Sequence, residues 1–364
     1  MATLSVCLIV RDEEDVLARC LDSAALFADE IVVVDTGSVD STKEIAGRYT
    51  DKVYDFAWTD DFSAARNFSF SKATGDFLMW LDADDVVEGD NPKRIRGLMR
   101  GIDGCADVVM LRYDAAFRPD GSPSLSYHRE RIIRRSLGLR WEGRVHEAIP
   151  PTGRVVSLDI AVSHRKLKTN EPGRNLRICE KQEKIGEPFS PRELYYYGRE
   201  LFENKRYDEA IAKLTLFLSR PDGWPPNKID AGRVLAECHK ALERPDEALR
   251  ALLLSLRYGP PTGETCCEIG KVFISRGDWA AGAFWMEAAL SSRPDIENGG
   301  FVCADCYGFV PHIWLAVCYD RLGDKDKASV HNEAAAAERP DDPSVLANRE
   351  YFAKVKRLSA TECL

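Results

Sequence analysis

The chain has 364 residues, of which 45% are hydrophobic and 30% charged, and its formal net charge is −9 at pH 7. This length predicts two or three domains, and the composition is typical of a globular protein with well-formed cores. The acidic balance argues against a general nucleic-acid binder, because such a protein needs a basic face for the phosphates.

No apolar run in the sequence has the length of a membrane span. The first run, Leu4 to Val10, has seven residues and is followed at once by a charged stretch that begins at Arg11, whereas a spanning helix needs about 20 apolar residues. A secretory signal would open with positive charge and end at small residues, and the sequence shows neither feature. We therefore expect a cytoplasmic protein.

The eleven cysteines are expected to be free thiols in a reducing compartment, since many of them lie in apolar helical patterns. Cys303 and Cys306 have the two-residue gap of a zinc half-site. The sequence has no second pair with this spacing, although Cys266, Cys267 and His312 are available as partners. A four-ligand zinc site needs more than this pattern shows, so we do not predict one.

The first half of the chain alternates strand-like and helix-like segments. In chain order the predicted elements are a strand at 4–10, a charged helix through about residue 27, a strand at 30–35, a helix at 41–48, a strand at 52–55, a helix at 63–72 and a strand at 77–81. This alternation predicts parallel βαβ units in an open sheet that helices cover on both faces. Three later segments, at 107–113, 127–134 and 154–163, are predicted as strands of mixed direction.

From about residue 190 onward the pattern is helical, and an internal repeat is visible. Four aligned segments each place a small residue near the start of a helix and a proline 11 or 12 residues later. The small residues lie 34 to 46 positions apart and are Ala210, Ala248, Gly282 and Ala328. Small residues let two helices cross closely, and proline ends a helix. The region therefore resembles tetratricopeptide repeats of paired helices, with an irregular helical bundle as the alternative.

A segment that contains several prolines and glycines separates the two halves, at residues 168–191. We expect an α/β domain at residues 1–168, a connecting segment at 169–190 with a helix at 174–184, and helical repeats at 191–364. The longest interval between the repeats predicts an insertion at about residues 298–309.

Polar residues follow the second predicted strand, in the sequence Asp35-Thr-Gly-Ser38. Ligands of open parallel sheets bind at the carboxyl ends of the strands. Asp35 can accept hydrogen bonds there from a ribose or a base edge, while Gly37 allows a tight turn, so Asp35, Gly37 and Ser38 are candidates for nucleotide binding. Ser38 is also a candidate cap of the following helix, and the two interpretations are compatible.

Three carboxylates, Asp82, Asp84 and Asp85, follow the fourth predicted strand within four residues. Such clustering is costly unless solvent or a cation offsets the charge. On an extended backbone Asp82 and Asp84 would project to the same side. Their oxygens suit Mg²⁺ or Mn²⁺ that carries a diphosphate. A solvated acidic turn is the alternative interpretation.

Four ordered motifs, LSVCLIV, IVVVDTGS, ARN and GDFLMWLDADD, begin at residues 4, 31, 65 and 75. Together they resemble the family-2 glycosyltransferases of the GT-A fold, over roughly residues 1–165. The resemblance implies a Rossmann-like catalytic domain with a mostly parallel sheet. One departure is the stretch Arg-Asp-Glu-Glu at 11–14, where the family commonly has asparagine before two glutamates.

The resemblance implies a role for each matching residue. Asp35 and the backbone near Val10 would hold the uracil or ribose of the nucleotide, and Arg66 would face it. Asp82 would contact ribose and sugar through the metal shell, and Asp84 would be a direct ligand of Mn²⁺ or Mg²⁺.

The stretch RWEGRVHE at 140–147 and His164 supply the remaining candidates. Related enzymes often carry a tryptophan and a His-Glu pair near the acceptor. We therefore predict Glu147 as general base, with Glu142 second and His146 beside them, and with a structural turn as the alternative. His164 ends a predicted strand. By resemblance to GT-A enzymes it would complete the metal site, although an isolated histidine is also often structural.

The sequence predicts a metal-dependent inverting glycosyltransferase with a nucleotide-diphosphate sugar, preferably UDP-linked, as its donor. The chain resembles bacterial family-2 enzymes with repeat tails, some of which glycosylate peptides, including on cysteine. We therefore predict a peptide or protein acceptor, with a saccharide, a lipid-linked glycan or a modified nucleobase as alternatives. A noncatalytic binding scaffold is the alternative from another class, and the intact Asp82 and Asp84 argue against it. A nucleotidyltransferase is disfavoured because the acidic stretch 11–15 suits a triphosphate poorly.

Overall fold

The computed structural model of the chain describes residues 2–167, 171–294 and 302–362, with side chains up to residue 355 in the last range. The chain divides into two compact units, one that ends at Lys205 and one that begins at Arg206. None of the described helices is both long and apolar enough to cross a membrane.

The elements of the first unit alternate between strand and helix up to β4, as the sequence predicts. They are β1 (Leu4–Val10), α1 (Leu17–Ala25), β2 (Glu30–Asp35), α2 (Thr42–Ala46), β3 (Val53–Asp55), α3 (Phe62–Lys72), β4 (Phe77–Trp80), β5 (Asp85–Val86), α4 (Asn91–Met99), β6 (Val108–Phe117), β7 (Pro123–Arg134), a 3₁₀ turn (Arg135–Leu137), β8 (Val155–His164), α5 (Arg174–Lys184) and α6 (Pro191–Glu203). The sequence analysis missed three of these elements, β5, α4 and the 3₁₀ turn.

Eight strands of the first unit lie in one sheet, in the order β3, β2, β1, β4, β7, β6, β8, β5. The first four run parallel to one another, and β8 runs parallel to β6. β7 is antiparallel to both β4 and β6, and β5 is antiparallel to β8. The predicted mostly parallel α/β sheet, followed by strands of mixed direction, is confirmed.

The central strands are apolar because both faces of the sheet are covered. Leu4, Val6 and Leu8 of β1 pack into one buried cluster with residues of α1 and α4. Cys7 points to the other face, into a second cluster that contains Phe70 of α3. With both faces packed, the polar groups that follow β1, β2 and β4 gather at the carboxyl edge of the sheet.

The second unit is built of helices, most of which pair with their neighbours in the chain. Its elements are α7 (Tyr207–Ser219), α8 (Pro225–Ala241), α9 (Pro245–Ser255), α10 (Gly263–Ser275), α11 (Trp279–Ser291), β9 (Val302–Cys303), a 3₁₀ turn (Ala304–Tyr307), α12 (Phe309–Arg321), α13 (Lys325–Glu338) and α14 (Pro343–Glu362). Helices α8 and α9, α10 and α11, and α12 and α13 form contacting pairs, which confirms the predicted repeats.

The small residues of the repeats lie where two helices meet. Ala210, Ala248 and Ala328 are fully buried in α7, α9 and α13. At Gly282 of α11 a Cβ atom would lie only 2.5 Å from Cγ1 of Ile274 in α10. A larger residue would push the two helices apart, which explains why the repeat has small residues at these positions.

The predicted boundaries at 168 and 190 stay predictions. The division into compact units places α5 and α6 with the sheet, but it does not define where a domain ends. Part of the predicted insertion, residues 298–301, lies outside the described residues. Cys303 and Cys306 are free thiols, and His312 pairs with His331 through Nδ1 atoms 2.9 Å apart. Within residues 2–167, 171–294 and 302–362, the two thiols belong to no group of three or more closely spaced metal-ligand atoms.

Candidate functional site

The three carboxylates after β4 have separate partners. The chain turns directly after Leu81, and the backbone N–H of Asp82 donates to Oδ2 of Asp85 at 3.1 Å. The side chain of Asp82 is 35% exposed, that of Asp84 is 20% exposed, and that of Asp85 is fully buried. The expectation of an extended backbone here is wrong, because the turn separates Asp82 from Asp84.

His164 approaches two of these carboxylates from the end of β8. Asp85 pairs with His164 in the antiparallel ladder of β5 and β8. Nδ1 of His164 lies 3.3 Å from Oδ1 of Asp84 and 3.4 Å from Oδ1 of Asp85. The ligand atoms of these three residues all lie within 4.8 Å of one another, and this group does not include Asp82.

The electrostatics of the group favour a cation. Burial lowers the pKa of the His164 imidazole, but hydrogen bonds to Asp84 and Asp85 outweigh it and raise that pKa to about 10. The carboxylates thus stabilise positive charge between them. Two carboxylates and one imidazole form a ligand set that fits Mn²⁺ better than Mg²⁺, because Mg²⁺ demands oxygen ligands.

Asp85 is paired with a buried arginine. Nη1 of Arg131, in β7, donates to Oδ2 of Asp85 at 2.9 Å and to the carbonyl of Trp80 at 3.0 Å. The Arg131 guanidinium lies over the ring of Trp80, with its central carbon 3.6 Å from the ring centroid. Arg131 and Asp85 are both fully buried.

A second arginine, Arg66 of α3, connects Asp82 to the loop at 140–147. Its Nη2 donates to Oδ1 of Asp82 at 2.6 Å, and its Nε donates to Oε1 of Glu147 at 2.5 Å. The guanidinium lies between the rings of Trp80 and Trp141, 4.8 Å from each centroid. Burial alone would raise the pKa of the Asp82 carboxyl, but Arg66, Arg131 and His164 together lower this pKa to about 2. Arg66 therefore keeps Asp82 ionised.

The loop at 140–147 is held at both ends. Asn67 of α3 exchanges two hydrogen bonds with the backbone of Trp141, at 2.9 and 3.0 Å. At the other end His146 has a positive φ of 53°. Its ring stacks on Tyr196 of α6, and its Nε2 lies 2.7 Å from Oε1 of Glu200. Both of these contacts of His146 are with residues of α6.

The other two predicted residues of this loop differ in burial. Glu147 is buried against Arg66, with a side chain that is 10% exposed. Glu142 is exposed, and its backbone pairs with that of Ala148. The buried, paired carboxylate of Glu147 and the exposed carboxylate of Glu142 therefore lie in one short loop that this backbone pairing closes.

Asp35 closes the turn after β2 with one oxygen only. Its Oδ1 accepts hydrogen bonds from the backbone N–H groups of Gly37 and Ser38, both at 2.9 Å. Its Oδ2 is buried and has no hydrogen-bond partner among the described residues. Gly37 has a φ of +110°, which glycine adopts at low cost. A buried acceptor oxygen without a protein donor is suited to a donor group of a ligand.

The neighbouring β1–α1 loop is tied to this turn. Oγ of Ser38 accepts a hydrogen bond from the backbone N–H of Asp12 at 2.9 Å. The carbonyl of Val10 accepts the backbone N–H of Thr36, also at 2.9 Å. Since Val10 pairs with Asp35 across the parallel strands, both ends lie at one sheet edge.

Comparison with known proteins identifies the family. The family model described as glycosyl transferase family 2 matches residues 5–161. A TPR repeat-containing protein of Synechococcus elongatus is 51% identical over 343 residues, which cover 94% of this chain and 68% of that protein. The chain belongs to glycosyl transferase family 2 and carries tetratricopeptide repeats.

Two further proteins are similar to this family-2 glycosyltransferase over part of their length. The SPbeta prophage-derived glycosyltransferase SunS of Bacillus subtilis is 27% identical over 225 residues, 57% of this chain and 51% of SunS. The chain thus spans about half of that relative. The crystal structure of S. aureus TarS covers 70% of this chain and 54% of TarS, with 17% identity and a TM-score of 0.36.

The sequence analysis missed the contributions of Arg131, Trp80 and Asp85 to this site. Arg131 directly precedes Ile132 and Ile133 in a strand that is otherwise buried at this end. Because Arg129, Arg134 and Arg135 lie close to the same apolar pair, no local pattern shows which arginine is buried, and the partner of Arg131 cannot be identified without the sheet order.

Removal of Arg66 should destabilise the first unit. In Arg66→Met the buried Glu147 would lose its cation, and we expect the free energy of unfolding to fall by about 3 kcal/mol. The double variant Arg66→Met/Glu147→Gln should be more stable than the single variant, because no uncompensated charge is then buried. Urea denaturation followed by tryptophan fluorescence measures both. Equal stabilities of the single and double variants would contradict this account of the pair.

Proposed function

We propose that this chain is a metal-dependent, inverting glycosyltransferase that uses a nucleotide-diphosphate sugar, with UDP as the preferred nucleotide. The observation that carries the proposal is the group of Asp84, Asp85 and His164 at the carboxyl edge of the sheet. Family membership supplies the reaction class, and this group supplies a place for the divalent cation that the donor's diphosphate needs.

Asp84 is proposed as the carboxylate that binds the cation directly. One oxygen of Asp85 is already occupied by Arg131, whereas the side chain of Asp84 faces His164. His164 would supply a nitrogen ligand, which favours Mn²⁺. A divalent cation, when bound, offsets the negative charge that develops on the leaving diphosphate.

Asp35 is proposed to recognise the nucleotide, with Gly37, Ser38 and the Val10 backbone shaping its pocket. Its unpartnered Oδ2 can accept a hydrogen bond from the N–H of uracil or from a ribose hydroxyl. Arg66 keeps Asp82 ionised and donates a hydrogen bond to one of its two carboxylate oxygens. The other oxygen of Asp82 would then face the ribose or the sugar.

Glu147 is proposed as the general base that takes the proton of the acceptor. Arg66 connects it to Asp82 and so places it beside the metal-binding turn. Glu142 is the alternative, because an exposed carboxylate can reach a bound acceptor without giving up an ion pair. His146 is proposed to hold the loop through Glu200 rather than to transfer protons.

The acceptor is proposed to be a peptide or protein segment. Tetratricopeptide repeats commonly present an extended surface for such segments. A noncatalytic scaffold would make the same use of the repeats but would bind a sugar nucleotide without turning it over. Turnover of the donor distinguishes the two.

Asp84→Asn should remove most of the donor hydrolysis measured with Mn²⁺ and UDP-sugars, while the thermal unfolding temperature changes little. The loss follows from replacing a charged ligand with a neutral amide. Asp90→Asn is the matched control, since Asp90 is highly exposed and pairs with the exposed Lys93. Full activity of Asp84→Asn, with Asp90→Asn also active, would refute the metal assignment. No turnover of any donor by the unmodified chain would favour the scaffold.

Glu147→Gln and Glu142→Gln form a matched pair that tests the base. Glu147→Gln should lower kcat about 100-fold or more, with donor binding preserved, and Glu142→Gln should keep near-normal kcat. Transfer rates with saturating donor, together with UDP affinities, give both quantities. The opposite ranking of the two variants would move the base role to Glu142.

A further inference from the structure

A buried ion pair, Arg131 with Asp85, lies behind the proposed metal site. Arg131 and Asp85 are fully buried. Nε and Nη2 of Arg131 have no hydrogen-bond partner among the described residues. Apolar residues of similar volume often replace buried ion pairs with no loss of stability. The pair therefore calls for an explanation beyond folding.

The orientation of Arg131 is strongly determined by its surroundings. Its guanidinium carbon lies 3.6 Å from the ring centroid of Trp80 and 4.5 Å from that of Tyr113. The carbonyl of Trp80 accepts a hydrogen bond from the same Nη1 that binds Asp85. The planar guanidinium thus packs against two aromatic rings, and its hydrogen-bonded nitrogen, Nη1, faces Asp85.

Asp85 divides its two oxygens between the interior and the metal site. Oδ2 accepts hydrogen bonds from Arg131 and from the backbone N–H of Asp82. Oδ1 lies 3.4 Å from Nδ1 of His164. Asp85 thus contacts both the backbone of the turn and the ring of the histidine. On its interior side, Asp85 is held in position by the hydrogen bond from Arg131.

We infer that Arg131 and Asp85 are positioning residues that together orient His164 and the turn at Asp82 for cation binding. This inference rests on the proposed metal-dependent function. Histidine ligands of metals generally donate their second ring N–H to a carboxylate, a backbone carbonyl or water, which fixes the ring. Asp84 and Asp85 both lie near Nδ1 of His164, at 3.3 and 3.4 Å, and we assign this role to Asp85, which Arg131 fixes on its interior side. Asp84 remains the direct carboxylate ligand.

Charge balance supports the same division of roles. Asp82, Asp84 and Asp85 would repel one another without compensation. Arg66 pairs with Asp82 as well as with Glu147, and Arg131 pairs with Asp85. Asp84 instead faces His164, so it is the carboxylate of the three that is left for a divalent cation.

The test is the Mn²⁺ affinity of the full chain, measured from free Mn²⁺ by electron paramagnetic resonance, with thermal unfolding in parallel. Arg131→Met should weaken Mn²⁺ binding about 10- to 100-fold, the range typical of lost partners of metal ligands. Arg131→Lys should lose less, because it keeps the charge but not the planar stacking.

A direct-ligand role for Asp85 predicts the reverse result. Arg131 would then compete with the cation for Asp85, and Arg131→Met would bind Mn²⁺ as tightly as the unmodified chain or more tightly. Either of these outcomes would overturn the inference while leaving the proposed function intact.

The double variant Arg131→Met/Asp85→Asn keeps the test decisive if the single variant fails to fold. It buries no uncompensated charge, so it should regain thermal stability relative to Arg131→Met. Its Mn²⁺ affinity should stay low, because the ring of His164 has lost the carboxylate that Arg131 holds in place. Recovery of both stability and Mn²⁺ affinity would show a merely structural role. If the unmodified chain binds no Mn²⁺, the proposed function fails and this inference fails with it.

Discussion

The arrangement of this site depends on how the negative charges of three neighbouring carboxylates are offset at one sheet edge. Arg66 binds Asp82, Arg131 binds Asp85, and His164 approaches both Asp84 and Asp85. The two arginines share Trp80, whose ring lies against both guanidinium groups. One tryptophan on β4 therefore supports the counter-charges of the turn that follows it. The carboxylate with the fewest fixed partners is the one proposed to bind the cation.

The partners come from distant parts of the chain, and the sheet topology brings them together. β7 runs antiparallel to β4 and so places Arg131 beside Trp80. β5, only two residues long, pairs with the end of β8 and sets Asp85 opposite His164. The first four strands supply the edge proposed to bind the nucleotide, where ligands bind in open parallel sheets generally. The antiparallel part of the sheet supplies the charges around the turn proposed to bind the metal.

Much of the fold follows from local sequence patterns, and the site follows only in part. Continuous apolar runs predicted β1, β2 and β4 because strands buried on both faces cannot alternate with polar residues. The four small residues predicted the helix pairs because close helix crossing excludes larger side chains. The spacing of Asp82 and Asp84 was misleading, since a turn rather than an extended strand follows Leu81. The pairing of Arg131 with Asp85 depends on strand order, which no local pattern contains.

The most direct test of this account is a crystal structure of the full chain with Mn²⁺ and UDP, with diffraction data collected at the manganese absorption edge. The account predicts an anomalous peak in contact with Asp84, His164 and the diphosphate, and UDP with its uracil or ribose against Oδ2 of Asp35. A well-ordered crystal without such a peak, or with manganese bound elsewhere and His164 turned away from Asp84, would contradict it.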